Sequence, residues 1–157
     1  MLWRLARADF EKQKGPDNQA ALRRIVESKK PAGVIAYHEG QPVGWCAVAP
    51  RKDYPSLGRS RILRPVDEQA VWSVTCFFVA RNYRRRGLSA LLLRAAAKYA
   101  HGRGAKLIEG YPIEPRIRRV PDVFAWMGLA SAFRAAGFHE VARRSPTRPL
   151  MRKSLSR

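Results

Sequence analysis

Residues Ala80 to Ser89 of this chain (ARNYRRRGLS) carry four arginines, a glycine and a terminal serine between two strongly apolar segments. The preceding run, Val71 to Val79 (VWSVTCFFV), is rich in β-branched and aromatic residues, the pattern of a strand buried on both faces. The following run begins at Gly87 and repeats apolar residues at helical spacing. A buried strand that feeds a loop of backbone donors and then a helix N-terminus is a physical recipe for holding a pyrophosphate. Gly87 lets the backbone approach an anion closely. The amides of Arg85 to Ser89 would face phosphate oxygens, reinforced by the helix dipole. Arg84, Arg85 and Arg86 add charge and forked donors. The plain alternative is a structural Arg-Gly turn before a helix.

The elements that must position this loop follow from periodicity and breakers. Asp17 to Lys30 reads as a helix with an apolar stripe of Ala21, Leu22, Ile25 and Val26, capped by Asp17 or Asn18 and ended by Pro31 and Gly33. Val34 to Tyr37 and Pro42 to Ala49 read as a hairpin about Glu39-Gly40. Gly44 in its second strand signals a bend or a close backbone approach. Pro50 to Pro65 is a long connection, of the length that often serves function, with a short helix around Ser56 to Leu63. Gly87 to His101 is the strongest helix, with Leu88, Leu91, Leu92, Ala95, Ala96 and Tyr99 on one face. Lys106 to Tyr111 is a strand, Pro112 to Pro121 a loop, and Gly128 to Ala136 a second short helix. His139 to Arg143 and Leu150 to Lys153 are two final strands. Hairpins alternate with crossovers, so the sheet is mixed.

Composition bounds the rest. The 157 residues suit one domain, 1–157, with 46% hydrophobic residues and a real core. No apolar run approaches a membrane span, and the first ten residues, with Arg4, Arg7 and Asp9, lack the core of a signal peptide. The expected location is the cytoplasm. Cys46 and Cys76 sit in apolar strands without a CxxC pair or a Cys/His cluster, so a metal site is not expected. Apolar surroundings also make Cys76 a poor nucleophile. The net charge of +19 comes from 31 basic and 12 acidic residues. It points to an anionic partner, or simply to arginines scattered over a solvated surface. Basic residues nearly everywhere, with no nucleic-acid motif, argue against a nucleic-acid partner.

The string VARNYRRRGLSALLLRAAAKYA (79–100) resembles the acetyl-CoA motif of the GNAT acetyltransferases, R/Q-x-x-G-x-G/A after a Val-ended strand. Arg84, Gly87 and Ser89 occupy the three motif positions, Ser89 standing for the usual Gly or Ala. SAFRAAGF (131–138) resembles the short helix and Gly-Phe found later in that family. With the element order from Val34 to Lys153, the resemblance covers about three quarters of the chain. It implies an α/β fold with a mixed, mostly antiparallel central sheet flanked by helices and splayed at the acetyl-CoA site. It implies acetyl-CoA as co-substrate and a primary amine, on a small molecule or a protein, that attacks the acetyl carbon directly. Phe77, Phe78 and Val79 would pair with the pantetheine arm, and the Phe77 amide would polarise the thioester carbonyl. Arg84, Arg85, Arg86, Gly87, Leu88 and Ser89 would hold the pyrophosphate.

Two departures bear on catalysis. The family often has a general-acid Tyr four residues before the Gly of Gly-Phe, where this chain has Phe133. Ser131 and Tyr111 are the hydroxyls left for that role, unless the thiolate leaves unassisted. Some members carry a Glu base early in the central strand, where this chain has Ser73. Glu109 is the best remaining carboxylate, read equally well as a strand-end charge paired with an arginine. His38 reads as a turn residue or as a neighbour of the acceptor groove, and His101 as a helix-dipole partner. Trp45, Tyr54 and Trp126 read as core or as walls of an acceptor pocket. Met1 to Ala6 is a poor first strand or a sign that the strand is missing. A missing strand would leave a sheet edge for a partner, such as a second copy, to cover. The rival reading is a non-catalytic basic protein that binds acetyl-CoA or associates with nucleic acid.

Overall fold

The computed structural model describes residues 1–115 and 125–155. Six strands form one sheet: β1 (Val34–His38), β2 (Gln41–Pro50), β3 (Trp72–Val79), β4 (Leu107–Gly110), β5 (His139–Arg143) and β6 (Pro149–Ser154), in the order β1-β2-β3-β4-β6-β5. Only β3 and β4 run parallel; the other neighbours are antiparallel. The expected mixed, mostly antiparallel sheet is therefore present. Helices α1 (Arg7–Lys12), α2 (Pro16–Glu27), α3 (Pro55–Gly58), α4 (Leu88–His101) and α5 (Ala130–Ala135) flank it. Among the described residues no helix is long and apolar enough to cross a membrane.

The hairpin turn forms because Glu39 and Gly40 both take positive φ, 49° and 76°, the geometry that matches strand twist in a tight β-turn. On one face of the sheet, Cys46, Val48 and Val74 pack with Leu92, Leu93, Ala96, Ala97 and Ala100 of α4 and with Phe133 and Phe138. Gly44 explains how closely α4 can approach. A Cβ there would lie 3.1 Å from Leu88 Cδ2 and 3.2 Å from Leu92 Cδ1. The buried stripe of α4 is rotated from the expected one. Leu91 is 55% exposed, whereas Ala90, Leu93 and Ala97 are buried. Nearly every position from Leu88 to Ala97 is apolar or small, so periodicity alone left the rotation of this helix undetermined.

The opposite face holds a second cluster around Ala49, Tyr54, Leu57, Tyr111, Met127 and Leu150, with Trp3 and Trp126 against it. The chain start supplies part of this cover and is not a strand. Ser56 ties this segment down, its N–H donating to the Trp3 carbonyl (3.3 Å) and its Oγ to the Leu5 carbonyl (2.5 Å), while Arg4 donates to the Pro31 carbonyl. Among the described residues nothing pairs with the outer edge of β1, and Ile35 and Tyr37 are 53% and 63% exposed there.

Other boundaries differ in understandable ways. α2 starts at Pro16, whose fixed φ suits the first helical position, after Gly15 at φ 85°; neither Asp17 nor Asn18 is its cap. Asn18 instead donates to the Phe10 carbonyl, tying α2 to α1. Val26, expected in the stripe, is 57% exposed. The helix expected at Ser56 to Leu63 is the single turn α3, which ends at Gly58, a poor helix former. Most of the expected 112–121 loop lies outside the described residues.

Candidate functional site

β3 and β4 pair only from Trp72↔Ile108 to Val74↔Gly110. Beyond that point β4 ends, while β3 continues five residues to Val79. A β-bulge accompanies the separation: against β2, Ala47 faces Cys76 and Val48 faces Val74, leaving Thr75 unmatched. The sheet is thus splayed beside Phe77, Phe78 and Val79. A cleft of about 720 Å³ opens there, running from these residues over Arg84 and Gly87 to Ser89 and, on its far wall, Ser131.

The loop between β3 and α4 is fixed at both ends. Ala80 N–H donates to the Val43 carbonyl, and Arg84 Nε donates to the Val79 carbonyl at 3.0 Å. Arg85 and Gly87 then adopt left-handed φ of 60° and 76°. For Arg85 this conformation costs roughly 1–2 kcal/mol, strain of the kind that ligand-clamp residues carry. Gly87 is the cap residue of α4 and has open space where a Cβ would stand. The first amides of α4 have no acceptor within the helix. They and the helix dipole therefore present partial positive charge to the cleft, together with the exposed Arg85. Eight of the nine residues expected to hold the cofactor line this cleft. Arg86 does not; its guanidinium lies over the Tyr83 ring, 5.9 Å from the centroid.

One expected donor is already engaged. Phe77 N–H donates to the Trp126 carbonyl at 2.7 Å, so the 125–128 segment lies along the open edge of β3. Trp126 stacks on Trp3 with ring centroids 6.0 Å apart. A Cβ on Gly128 would come within 2.9 Å of both Phe77 and Phe133 rings, which shows how tightly this segment is seated.

The candidate catalytic residues separate. Ser131 is exposed on the cleft wall. Glu109 and Tyr111 are fully buried and do not line the cleft. Glu109 pairs with Arg51 (2.5 Å) and Arg152 (2.9 Å), and it accepts a hydrogen bond from Tyr111 at 2.5 Å. Tyr111 Oη also meets Arg51 and lies 2.9 Å from Ser73 Oγ. Arg152 reaches on to Asp67 through both terminal nitrogens, and Arg51 donates to the Leu63 carbonyl. This chain of contacts buckles the 51–71 connection to the sheet. Burial, and then the Glu109 charge, push the Tyr111 hydroxyl well above its usual pKa. The Arg152 hydrogen bonds hold Asp67 down at about 2.

Phe133, at the position where a Tyr was sought, is fully buried edge-to-face against Phe77 and Phe138. Of the three aromatic residues considered for an acceptor pocket, Trp126 lines the cleft, whereas Tyr54 is buried and lines a different cavity. His38 sits in an exposed contact with Tyr83 Oη at 3.1 Å. Burial raises the thiol pKa of both Cys46 and Cys76, so neither is activated. Among the described residues no group of three His, Cys, Asp or Glu could hold a metal. Arg51, Arg152 and the Trp126 carbonyl went unnoticed in the sequence, where an arginine among 31 basic residues carries no signal and a backbone acceptor carries none at all.

Comparison with known proteins agrees with this fold. The sequence matches the Acetyltransferase (GNAT) family over residues 1–113, and the chain belongs to that family. Similar folds occur in a GNAT-family acetyltransferase from Streptococcus pneumoniae (12% identity, TM-score 0.57, 91% of this chain and 78% of that one). They also occur in a ribosomal-protein-alanine N-acetyltransferase from Brucella melitensis (17%, 0.53, 88% and 76%). A third is an aminoglycoside acetyltransferase in complex with coenzyme A and kanamycin (19%, 0.55, 98% and 81%). At these identities the structures speak to fold alone. No curated protein matches the sequence.

Proposed function

We propose that this protein transfers the acetyl group of acetyl-CoA to a primary amine. The observation that carries the reading is the splay beyond Val74 and Gly110, which leads directly onto Arg85, Gly87 and the N-terminus of α4. An extended thioester arm suits the edge of β3 that β4 leaves uncovered beyond Val74, and a pyrophosphate suits the first turn of α4. The amine lone pair attacks the acetyl carbon, the C–N bond forms, the C–S bond breaks, and the ammonium proton passes to a base or to water. Ser131, on the cleft wall, is the proposed proton donor to the departing thiolate. Glu109 and Tyr111 enter as positioning groups: they brace Ser73, which precedes the Thr75 bulge by two residues. For the Phe77 amide to serve the thioester carbonyl, the Trp126 carbonyl must give way to it.

The basic surface disfavours a cationic acceptor and favours an amine that also bears acid groups, on a small molecule or on a protein. The open outer edge of β1 is where a second copy of the chain would add. The cytoplasm remains the proposed location. The deciding experiment is thermal melting with and without acetyl-CoA, for wild type and Gly87→Glu, followed by thiol release in an amine screen. Stabilisation of wild type alone, with thiol release, supports transfer. Binding without turnover on any amine favours the non-catalytic reading, for which Phe133 in place of a Tyr is the supporting observation.

A further inference from the structure

A second cavity, of about 890 Å³, lies at the other end of β3 and shares no lining residue with the cleft. Its floor is apolar: Tyr54, Val71, Trp72 and Leu107, with Pro50 and Pro55 beside them. Its rim carries Lys52, Arg103 and Lys106, all exposed, and Arg51 reaches it from the buried network. No carboxylate lines it. Among the described residues Lys52, Arg103 and Lys106 form no ion pair.

The placement of these cations follows from local structure. Lys52 lies in the short 3-10 turn Arg51–Asp53 that directly follows β2. Arg103 stands in the turn that ends α4, between Gly102 and Gly104, the latter at φ 84°, and its guanidinium rests on the Tyr99 ring at 4.9 Å. Lys106 immediately precedes β4. Three separate segments therefore deliver positive charge to one opening. Their sum exceeds the roughly half negative charge that the C-terminus of α4 contributes there. Carboxylates neutralise Arg152, through Asp67 and Glu109, and Arg143, through Glu114 and Glu140. Among the described residues none neutralises the three rim cations. An uncompensated cationic rim over an apolar, aromatic floor is complementary to an anion with a flat apolar body.

We infer that this cavity is a second ligand site, for a small organic anion of aromatic size such as a nucleoside monophosphate. The site does not depend on the transfer reaction, and a failed acetylation assay leaves it untouched. The probe is anilinonaphthalene sulfonate, an aromatic anion whose fluorescence rises on binding, titrated into wild type and competed with adenosine monophosphate. Saturable binding is expected, displaced by adenosine monophosphate at least tenfold more effectively than by uncharged adenosine. Joint reversal of the rim (Lys52→Glu, Arg103→Glu, Lys106→Glu) weakens it more than tenfold, and the neutral Gln set at the same positions weakens it less. Both sets keep the wild-type melting behaviour, since all three residues are exposed. Gly87→Glu, in the cleft, leaves probe affinity unchanged. The inference is overturned if rim reversal has no effect, if Gly87→Glu abolishes binding, or if adenosine competes as well as its monophosphate. Displacement by a single-stranded oligonucleotide and not by adenosine monophosphate also overturns it, in favour of a nucleic-acid surface.

Discussion

The two halves of β3 use arginine in opposite ways. At the closed half, beside Ser73, Arg51 and Arg152 are drawn into the interior and matched by Glu109, Tyr111 and Asp67. At the open half, beside Val79, Arg85 stays in solvent next to a helix end whose first amides have no internal acceptor. The first arrangement removes charge from water and holds two strands and a long connection in register. The second leaves charge exposed to solvent beside the cleft. The lesson is that a strongly basic chain is not uniformly basic in effect: what a guanidinium does depends on whether a carboxylate reaches it first.

The largest test of this contrast is Glu109→Gln. It leaves Arg51 without its buried counter-charge, and unfolding free energy should fall by about 3–5 kcal/mol in urea titration. A loss under about 1 kcal/mol would show that the network is dispensable. On the open side, Gly87→Glu should unfold at nearly the wild-type point without ligand. It should lose the whole of the acetyl-CoA stabilisation, about 2.7 kcal/mol at 100 times the dissociation constant. Retained stabilisation would move the anion site away from α4. Ser131→Ala should lower kcat by about 10²-fold with KM little changed, the mark of a group that acts on the leaving thiolate. If kcat is unaltered, the thiolate departs without that hydroxyl.

The smallest effect concerns pH. Asp67, Glu114 and Glu140 all have carboxyl pKa values depressed by hydrogen bonds from arginine, Asp67 to about 2. Between the unfolded and folded values the unfolded chain binds more protons, so stability rises with pH there and is lost as pH falls from about 4 towards 2. Asp67→Asn should flatten part of this acid limb in a series of melts. An unchanged slope would mean that the Arg152–Asp67 contact does not persist in solution.

Much of this protein was legible in one sequence. The hairpin about Glu39-Gly40, the strand within Val71 to Val79, the helix after Gly87 and the close approach at Gly44 each rest on local rules: turn conformation, apolar runs, capping and the absence of a Cβ. The loop between β3 and α4 was legible for the same reason, because its residues are consecutive in the chain. The expected burial of the Val71 to Val79 strand on both faces holds only to Thr75, since Cys76, Phe77 and Val79 are half-buried and Phe78 is exposed where the sheet splays. Tertiary structure decided what depends on distant partners. The rotation of α4 was settled by which of its many apolar residues met the sheet. Glu109 can be buried because Arg51 and Arg152, 58 and 43 residues away, reach it, and Tyr111 joins it through Arg51 and its own hydrogen bond to Glu109. The Trp126 carbonyl on the Phe77 amide, and three cations gathered over an apolar floor, have no local signature. Burial and charge pairing are set by proximity in space, and a strand, a turn and a helix end become neighbours only when the sheet has formed.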